Sequence, residues 1–245
     1  MTPAALGIIP ARYASSRFPG KPLVLIDGKS MVMRVYEQAC KSSSLQRVIV
    51  ATDDQRIFDH VKSFGGEVIM TSTTHVSGTS RAGEVLEKLQ AEQINFDVVV
   101  NIQGDEPFIN PIQIDLAVSL FNDPSIGIGT LIRKIQNPLD IFNPNVVKVI
   151  TDINGKALYF SRSPIPYIRG TEQEFWAKEH SFYSHIGMYA FRTNTLSLLL
   201  RLSETAAEKA ESLEQLRWLQ HGFTIHTALT DIETVVIDTP EDLLK

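Results

Sequence analysis

The 245-residue chain, 43% hydrophobic and 21% charged, is long enough to bury a sizeable core, and its mixed composition excludes extended disorder. A net charge of −5 argues against a broad nucleic-acid-binding face, which needs many Lys and Arg to displace counterions from a phosphate backbone. With no basic segment leading into an apolar run and a small-residue cleavage site, and no stretch of roughly 18 apolar residues, neither export nor a membrane span is expected.

In chain order, residues 5–9 form a short apolar run bounded by Pro10, the pattern of a buried parallel strand. A loop over 10–22 follows, then a helix over 31–41, a strand over 47–51, a helix over 55–63 closed by Gly65 and Gly66, and a strand over 67–70. Cys40, the single cysteine, falls within that first helical pattern; it has no internal partner, as suits a reducing compartment, and is expected in the core. The alternation continues with a helix over 81–92, a strand over 97–101, a helix over 112–121 and a strand over 126–132. Alternation of this kind predicts a sheet with crossover helices.

From Val146 the character changes. The runs 146–151 and 157–161 flank Asn154-Gly155, a dipeptide that accepts the positive φ angles of a tight turn, so they predict a β-hairpin. Residues 162–180, with Pro164, Pro166 and Gly170, read as a surface loop or short arm. Strands are expected over 184–191, 224–228 and 234–237, and a helix over 206–221. No repeat or linker is visible, which predicts one α/β domain over 1–245, mostly parallel, with an antiparallel excursion over 146–192.

Four groups of residues can carry chemistry. The loop after the first strand holds Arg12, Arg17 and Lys21, no acid, two small hydroxyls and a Pro-Gly turn. In open α/β sheets ligands bind beyond the carboxyl ends of the strands, where such a loop suits a triphosphate; ordinary surface cations are the competing reading. Neither the Gly-x-x-x-x-Gly-Lys-Ser/Thr loop nor the Gly-x-Gly-x-x-Gly turn is present, which counts against P-loop enzymes and NAD-type oxidoreductases.

The second group is Gln103-Gly104-Asp105-Glu106-Pro107, at the exit of an apolar strand. An acid there is costly to desolvate unless it meets a cation, and Mg²⁺ is commonly held by one or two carboxylates plus substrate phosphates, so Asp105 is the favoured ligand; a turn acid capping the helix near Pro111 is the alternative. In the third group, Asp238-Thr239-Pro240-Glu241-Asp242, helix capping accounts for Thr239, Pro240 and Asp242. It leaves Asp238 either structural or facing the same sheet edge as Asp105. The fourth group is Arg162, His185, Tyr189, Glu214 and Gln215. His185 and Tyr189, four apart in a strand, share a face and suit a carboxylated, polyhydroxylated sugar, or serve simply as satisfied core residues.

These stretches in their order, together with Ala51-Thr52-Asp53, Ser77-Gly78-Thr79, Asn143-Pro144-Asn145, Val147-Lys148-Val149, Ala157-Leu158-Tyr159-Phe160-Ser161-Arg162, His185-Ile186-Gly187 and Leu213-Glu214-Gln215-Leu216-Arg217, resemble the 3-deoxy-manno-octulosonate (Kdo) cytidylyltransferase family over nearly the whole chain. The resemblance implies a Rossmann-like nucleotidyltransferase fold, CTP and Kdo as substrates, Mg²⁺ as cofactor, a homodimer, a cytoplasmic setting and a role in lipopolysaccharide synthesis. It implies that Arg12, Arg17 and Lys21 hold the triphosphate, that Ala11, Ser77, Gly78, Thr79 and Arg81 line the nucleotide, and that Asp105 and Asp238 bind the metal. Lys21, Asp105 and Asp238 would be catalytic, and Gln103, Arg162, His185, Tyr189, Glu214 and Gln215 would contact the sugar. The sequence departs from the family at Ser80, where an acid is usual, and over 206–212. Related activities on sialic acid or an amino analogue of Kdo, and a nucleotide-binding regulator without turnover, are the alternatives.

Overall fold

The structure is a computed structural model that describes residues 3–14, 18–234 and 236–244. Its centre is a nine-stranded sheet. The strands are β1 (Ala5–Ala11), β4 (Leu45–Thr52), β5 (Val68–Met70), β6 (Val98–Asn101), β7 (Ile128–Lys134), β8 (Lys148–Thr151), β9 (Ala157–Ser161), β10 (Tyr183–Arg192) and β11 (Ile225–Leu229). A separate two-stranded ribbon pairs β2 (Leu25–Ile26) with β3 (Lys29–Ser30).

The main path runs β11-β7-β10-β6-β1-β4-β5. Pairing is parallel for β5-β4, β4-β1, β1-β6 and β7-β11, whereas β10 lies antiparallel between β6 and β7. β8 and β9 form the expected antiparallel hairpin, which joins the sheet through β8 and β10. The fold class is therefore α/β, mostly parallel, with an antiparallel insertion.

Helices cover both faces, and the strands show why. In β1, Ala5, Ile9 and Ala11 face one hydrophobic cluster while Leu6 and Ile8 face the other. On the first face pack α1 (Met31–Ala39), α2 (Gln55–Ser63) and α4 (Pro111–Ser119), through Val32, Val35, Ile57, Val61, Ile114 and Ala117. On the second pack α3 (Gly78–Ala91), α6 (Thr193–Leu199) and α8 (Gln215–Gln220), through Val85, Leu86, Leu196, Leu199, Leu216 and Trp218. With both faces covered, strands such as Val98-Val99-Val100 read as continuous apolar runs, each buried side chain contributing about 1.5–3 kcal/mol.

Several sequence expectations need correction. Cys40 is not in the core: it is the exposed C-cap of α1, one residue beyond the last buried position, Ala39. Helix α3 begins at Gly78 rather than Arg81, because Ser77 caps it by accepting from the Ser80 N–H at 3.2 Å while Ser80 answers the Ser77 backbone. A Ser-x-x-Ser box is a weaker sequence mark than one ending in Glu. The helix expected over 206–221 is two, α7 (Ala206–Glu211) and α8, parted at Ser212, whose φ of 52° is left-handed. The arm carries α5 (Trp176–Glu179), with Trp176 buried against Ile141 and Phe182 in a small core of its own. Among the described residues of 234–237 there is no strand; a short 3-10 turn, Pro240–Leu244, follows.

Candidate active site

β1 and β6 end side by side, and the loops that leave them form one wall of a cavity of about 370 Å³. Gly104 makes this close approach possible: a Cβ there would stand 2.6 Å from the Pro10 carbonyl oxygen. Across the first loop, Gly20 adopts φ 74° and its N–H donates to the Tyr13 carbonyl at 2.9 Å, which turns the chain so that Lys21 enters the cavity.

Lys21 is the hub. Its Nζ donates to Asp105 Oδ2 at 2.9 Å and to Asp238 Oδ1 at 3.2 Å. The C-terminal segment is held at this edge by the Ile237 N–H, which donates to the Asp105 carbonyl at 3.0 Å, and Asp242 fixes the turn by accepting from the backbone N–H groups of Asp238 and Thr239, each at 3.0 Å. Two carboxylates thus converge on one ammonium.

The other proposed nucleotide residues Ala11, Arg12, Ser77, Gly78, Thr79 and Arg81 all line the same cavity; Arg17 lies outside the described residues. Arg81 is largely committed elsewhere, its guanidinium donating to Asp53 at 2.7 Å and to Thr71. Ser80, standing where the family usually has an acid, is used up in the helix cap.

The proposed sugar residues divide. Gln103, Tyr189, Glu214 and Gln215 line the first cavity. Glu214 stands at the start of α8 because the chain breaks at Ser212, and its two carboxylate oxygens accept from Ser77 Oγ at 3.0 Å and Thr79 Oγ1 at 2.7 Å. His185 lines a second cavity of about 460 Å³, which meets the first at Gln103, Asp105 and Gly187. A bulge in β10 between Ile186 and Tyr189 separates the two rings' surroundings, although their centroids stay 5.0 Å apart. Burial pushes His185 down to about 3, so the imidazole is neutral, and Nε2 meets Thr130 Oγ1 at 2.9 Å. Arg162 lines neither cavity: its guanidinium donates to the carbonyls of Glu211 (2.6 Å), Pro144 (3.0 Å) and Ser212 (3.4 Å).

Sequence reasoning assigned no role to two polar groups here, Asn101 and Glu106, and named a third, Tyr189. Asn101 Oδ1, Tyr189 Oη and Glu106 Oε2 are buried without a hydrogen-bond partner, the first two in the wall of the first cavity and the third in that of the second. Buried polar atoms are rarely left so, and here they face space a substrate can fill. Tyr189 alone had been singled out, as a member of its strand face; an Asn ending an apolar strand and an acid beside Asp105 were the available signals. Burial, then the adjacent Asp105 carboxylate, pushes Glu106 up to about 8. Among the described residues no group of three or more His, Cys, Asp or Glu could by itself enclose a metal ion. Asp105 and Asp238 fit Mg²⁺ as a pair of hard oxygen donors, since that ion takes few protein ligands and completes its shell with water and phosphate.

A cationic loop and an acidic pair at the carboxyl edge of an α/β sheet define a nucleotidyltransferase-type site. The cytidylyltransferase family model matches residues 6–230. A 3-deoxy-manno-octulosonate cytidylyltransferase of Cytophaga hutchinsonii is 51% identical, over 98% of this chain and 95% of the relative, and one of Thermodesulfovibrio yellowstonii is 47% identical, over 96% and 94%. A solved structure of CMP:2-keto-3-deoxy-manno-octonic acid synthetase complexed with CTP superposes with a TM-score of 0.90 at 41% identity, covering 98% of this chain and 95% of that one. The chain belongs to the 3-deoxy-manno-octulosonate cytidylyltransferase family.

Proposed function

We propose that this protein transfers the cytidylyl group of CTP to Kdo, giving CMP-Kdo and pyrophosphate, with Mg²⁺ required. The observation that carries the reading is the meeting of Lys21, Asp105 and Asp238 at a cavity edge in a chain that shares its fold, at 41% identity, with a CTP-complexed synthetase.

The anomeric hydroxyl of the sugar attacks the α-phosphorus; an O–P bond forms while the hydroxyl proton is lost to water, the bond from that phosphorus to the bridging oxygen breaks, and the electron pair leaves on pyrophosphate. The protein's work is positioning and charge stabilisation. Lys21 and Arg12 supply positive charge to the phosphates, and Gln103, whose Nε2 donates to the Gly187 carbonyl at 2.8 Å, braces the junction of the two cavities. Tyr189 and Asn101 offer unpaired polar atoms to substrate oxygen or nitrogen. Asp105 and Asp238 would hold Mg²⁺, which would supply Lewis acidity towards the phosphates and ease loss of the proton from the sugar hydroxyl.

Incubation with CTP, Kdo and Mg²⁺ should release pyrophosphate, and chelation should stop it until Mg²⁺ is restored. Asp105→Asn should lower kcat by about a hundredfold or more with an unchanged circular dichroism spectrum. Near-normal turnover in that variant would remove Asp105 from the site, and CTP binding without turnover in the wild type would make the protein a nucleotide-binding regulator. A panel containing sialic acid and 8-amino-Kdo tests the sugar.

The same reading places the product in lipopolysaccharide synthesis and the protein in the cytoplasm; no helix among the described residues is long and apolar enough to cross a membrane. We take the protein to be a homodimer whose contact includes the 146–192 excursion. Ile153, Leu158 and Tyr167 there are 101%, 58% and 73% exposed, apolar surface that a second copy would cover. A solution mass of one chain would contradict this.

A further inference from the structure

His75 lines the first cavity, yet neither the loop motif nor the acidic pair involves it. Its Nε2 is 2.5 Å from Glu84 Oε2, on α3, and Glu84 does not line the cavity. The carboxylate is itself well anchored, accepting from the Ser72 N–H at 2.8 Å and pairing with Lys88 Nζ at 2.7 Å. Partial burial opposes its ionisation, but the bonds from Lys88, Ser72 and His75 outweigh that and hold Glu84 at about 2.

An ionised carboxylate only accepts hydrogen bonds, so Nε2 must carry the hydrogen. With the hydrogen on Nε2, the Nδ1-unprotonated tautomer offers a lone-pair acceptor on a residue that stands in the cavity wall. The neighbouring hydroxyls are already engaged, Ser77 and Thr79 both donating to Glu214. Pro10, Ala11, Pro22 and Val76 add apolar surface to the same cavity, which suits the flat face of a base, whereas Lys21 and the two aspartates claim the phosphates.

We propose that His75 reads the exocyclic amino group of cytosine through Nδ1, with Glu84 as the positioning residue that sets the tautomer. The amino group of cytosine donates at the position where uracil presents a carbonyl acceptor, so an acceptor on the protein favours CTP and opposes UTP. The inference rests on the reading of the first cavity as the CTP site, and it assigns nucleotide selectivity to one imidazole.

The test is calorimetric titration of the full chain with CTP and with UTP, Mg²⁺ present and sugar absent. The wild type should prefer CTP. His75→Ala should weaken CTP about tenfold while leaving UTP within about twofold, the size expected for loss of one hydrogen bond. His75→Asn, whose Oδ1 can take the place of Nδ1 as acceptor, should keep most of the preference. Glu84→Gln, whose amide can donate to Nε2 and so release the tautomer, should lose it. Equal weakening of CTP and UTP in His75→Ala, or no weakening of either, overturns the proposal while the CTP site stands. A wild type that binds CTP no better than UTP removes the reading of the cavity and the proposal with it.

Discussion

His185 illustrates how a single side chain responds to its neighbours. Its ring is flanked by Phe160 at 5.1 Å and Tyr189 at 5.0 Å, and burial in that setting holds its pKa at about 3. In the unfolded chain the same group takes up a proton near pH 6.5. Between those values the unfolded state binds the extra proton, so stability drops as pH falls from about 6.5 towards 3. Thermal unfolding from pH 7 to pH 4 should show this decline. His185→Gln, which keeps a partner for Thr130 but does not titrate, should flatten it; an unaltered pH slope would mean that the imidazole is not the group responsible. Not every residue in the sequence motifs acts at the cavity: Arg162 is spent on three backbone carbonyls, which tie the end of β9 to Pro144 and to the break before α8. Its type and spacing were legible, but its partners lie 18, 49 and 50 residues away along the chain.

At the scale of elements, the β8–β9 hairpin depends on a buried cation. Lys148, 0% exposed, donates from Nζ to the carbonyls of Asn143 at 2.9 Å, Val146 at 2.7 Å and Arg162 at 2.5 Å, and burial lowers its pKa. Replacing it with methionine fills the space but leaves those carbonyls without their donor, so Lys148→Met should destabilise the fold by about 2–5 kcal/mol. A loss below about 1 kcal/mol in urea unfolding would show that the carbonyls find other donors. The hairpin itself was readable from Asn154-Gly155, where Gly155 takes φ 76°. The break at Ser212 was not, because nothing in a helical run of Ala, Glu, Lys and Leu marks a serine for left-handed backbone; Glu208 and Arg217, bonded at 2.7 Å, clamp α7 to α8 across the turn.

Over the whole molecule, the fold and the reaction centre separate at the C-terminus. The sheet ends at β11, and beyond it the segment returns to the first loop through Ile237 and Asp238. Among the described residues of that return Ile237 is the buried hydrophobic one, so deleting residues 236–245 should leave the sheet and its two helical layers folded. Pyrophosphate release should be lost, since Asp238 goes with the segment. Retained circular dichroism with no turnover is the expected result; full activity in the truncated chain would show that Asp105 and Lys21 suffice.

The sequence alone determined what local pattern can encode. Apolar runs and helical periods located most strands and helices, and the cations of the first loop and the acid after β6 stood at strand exits where ligands bind. Family motifs in their order pointed to cytidylyl transfer before any coordinate did. Tertiary structure decided which distant groups meet: Lys21 with Asp238, 217 residues on; Ser77 with Glu214, 137 on; and His75 in the wall of the same cavity. It also decided that Cys40 lies outside the core and that Asn101 and Tyr189 keep unpaired polar atoms at the cavity. The reason is physical. Periodicity states which face of an element avoids water, but the approach of two loops follows from strand order and register, including an antiparallel β10 set between β6 and β7, which no local pattern contains.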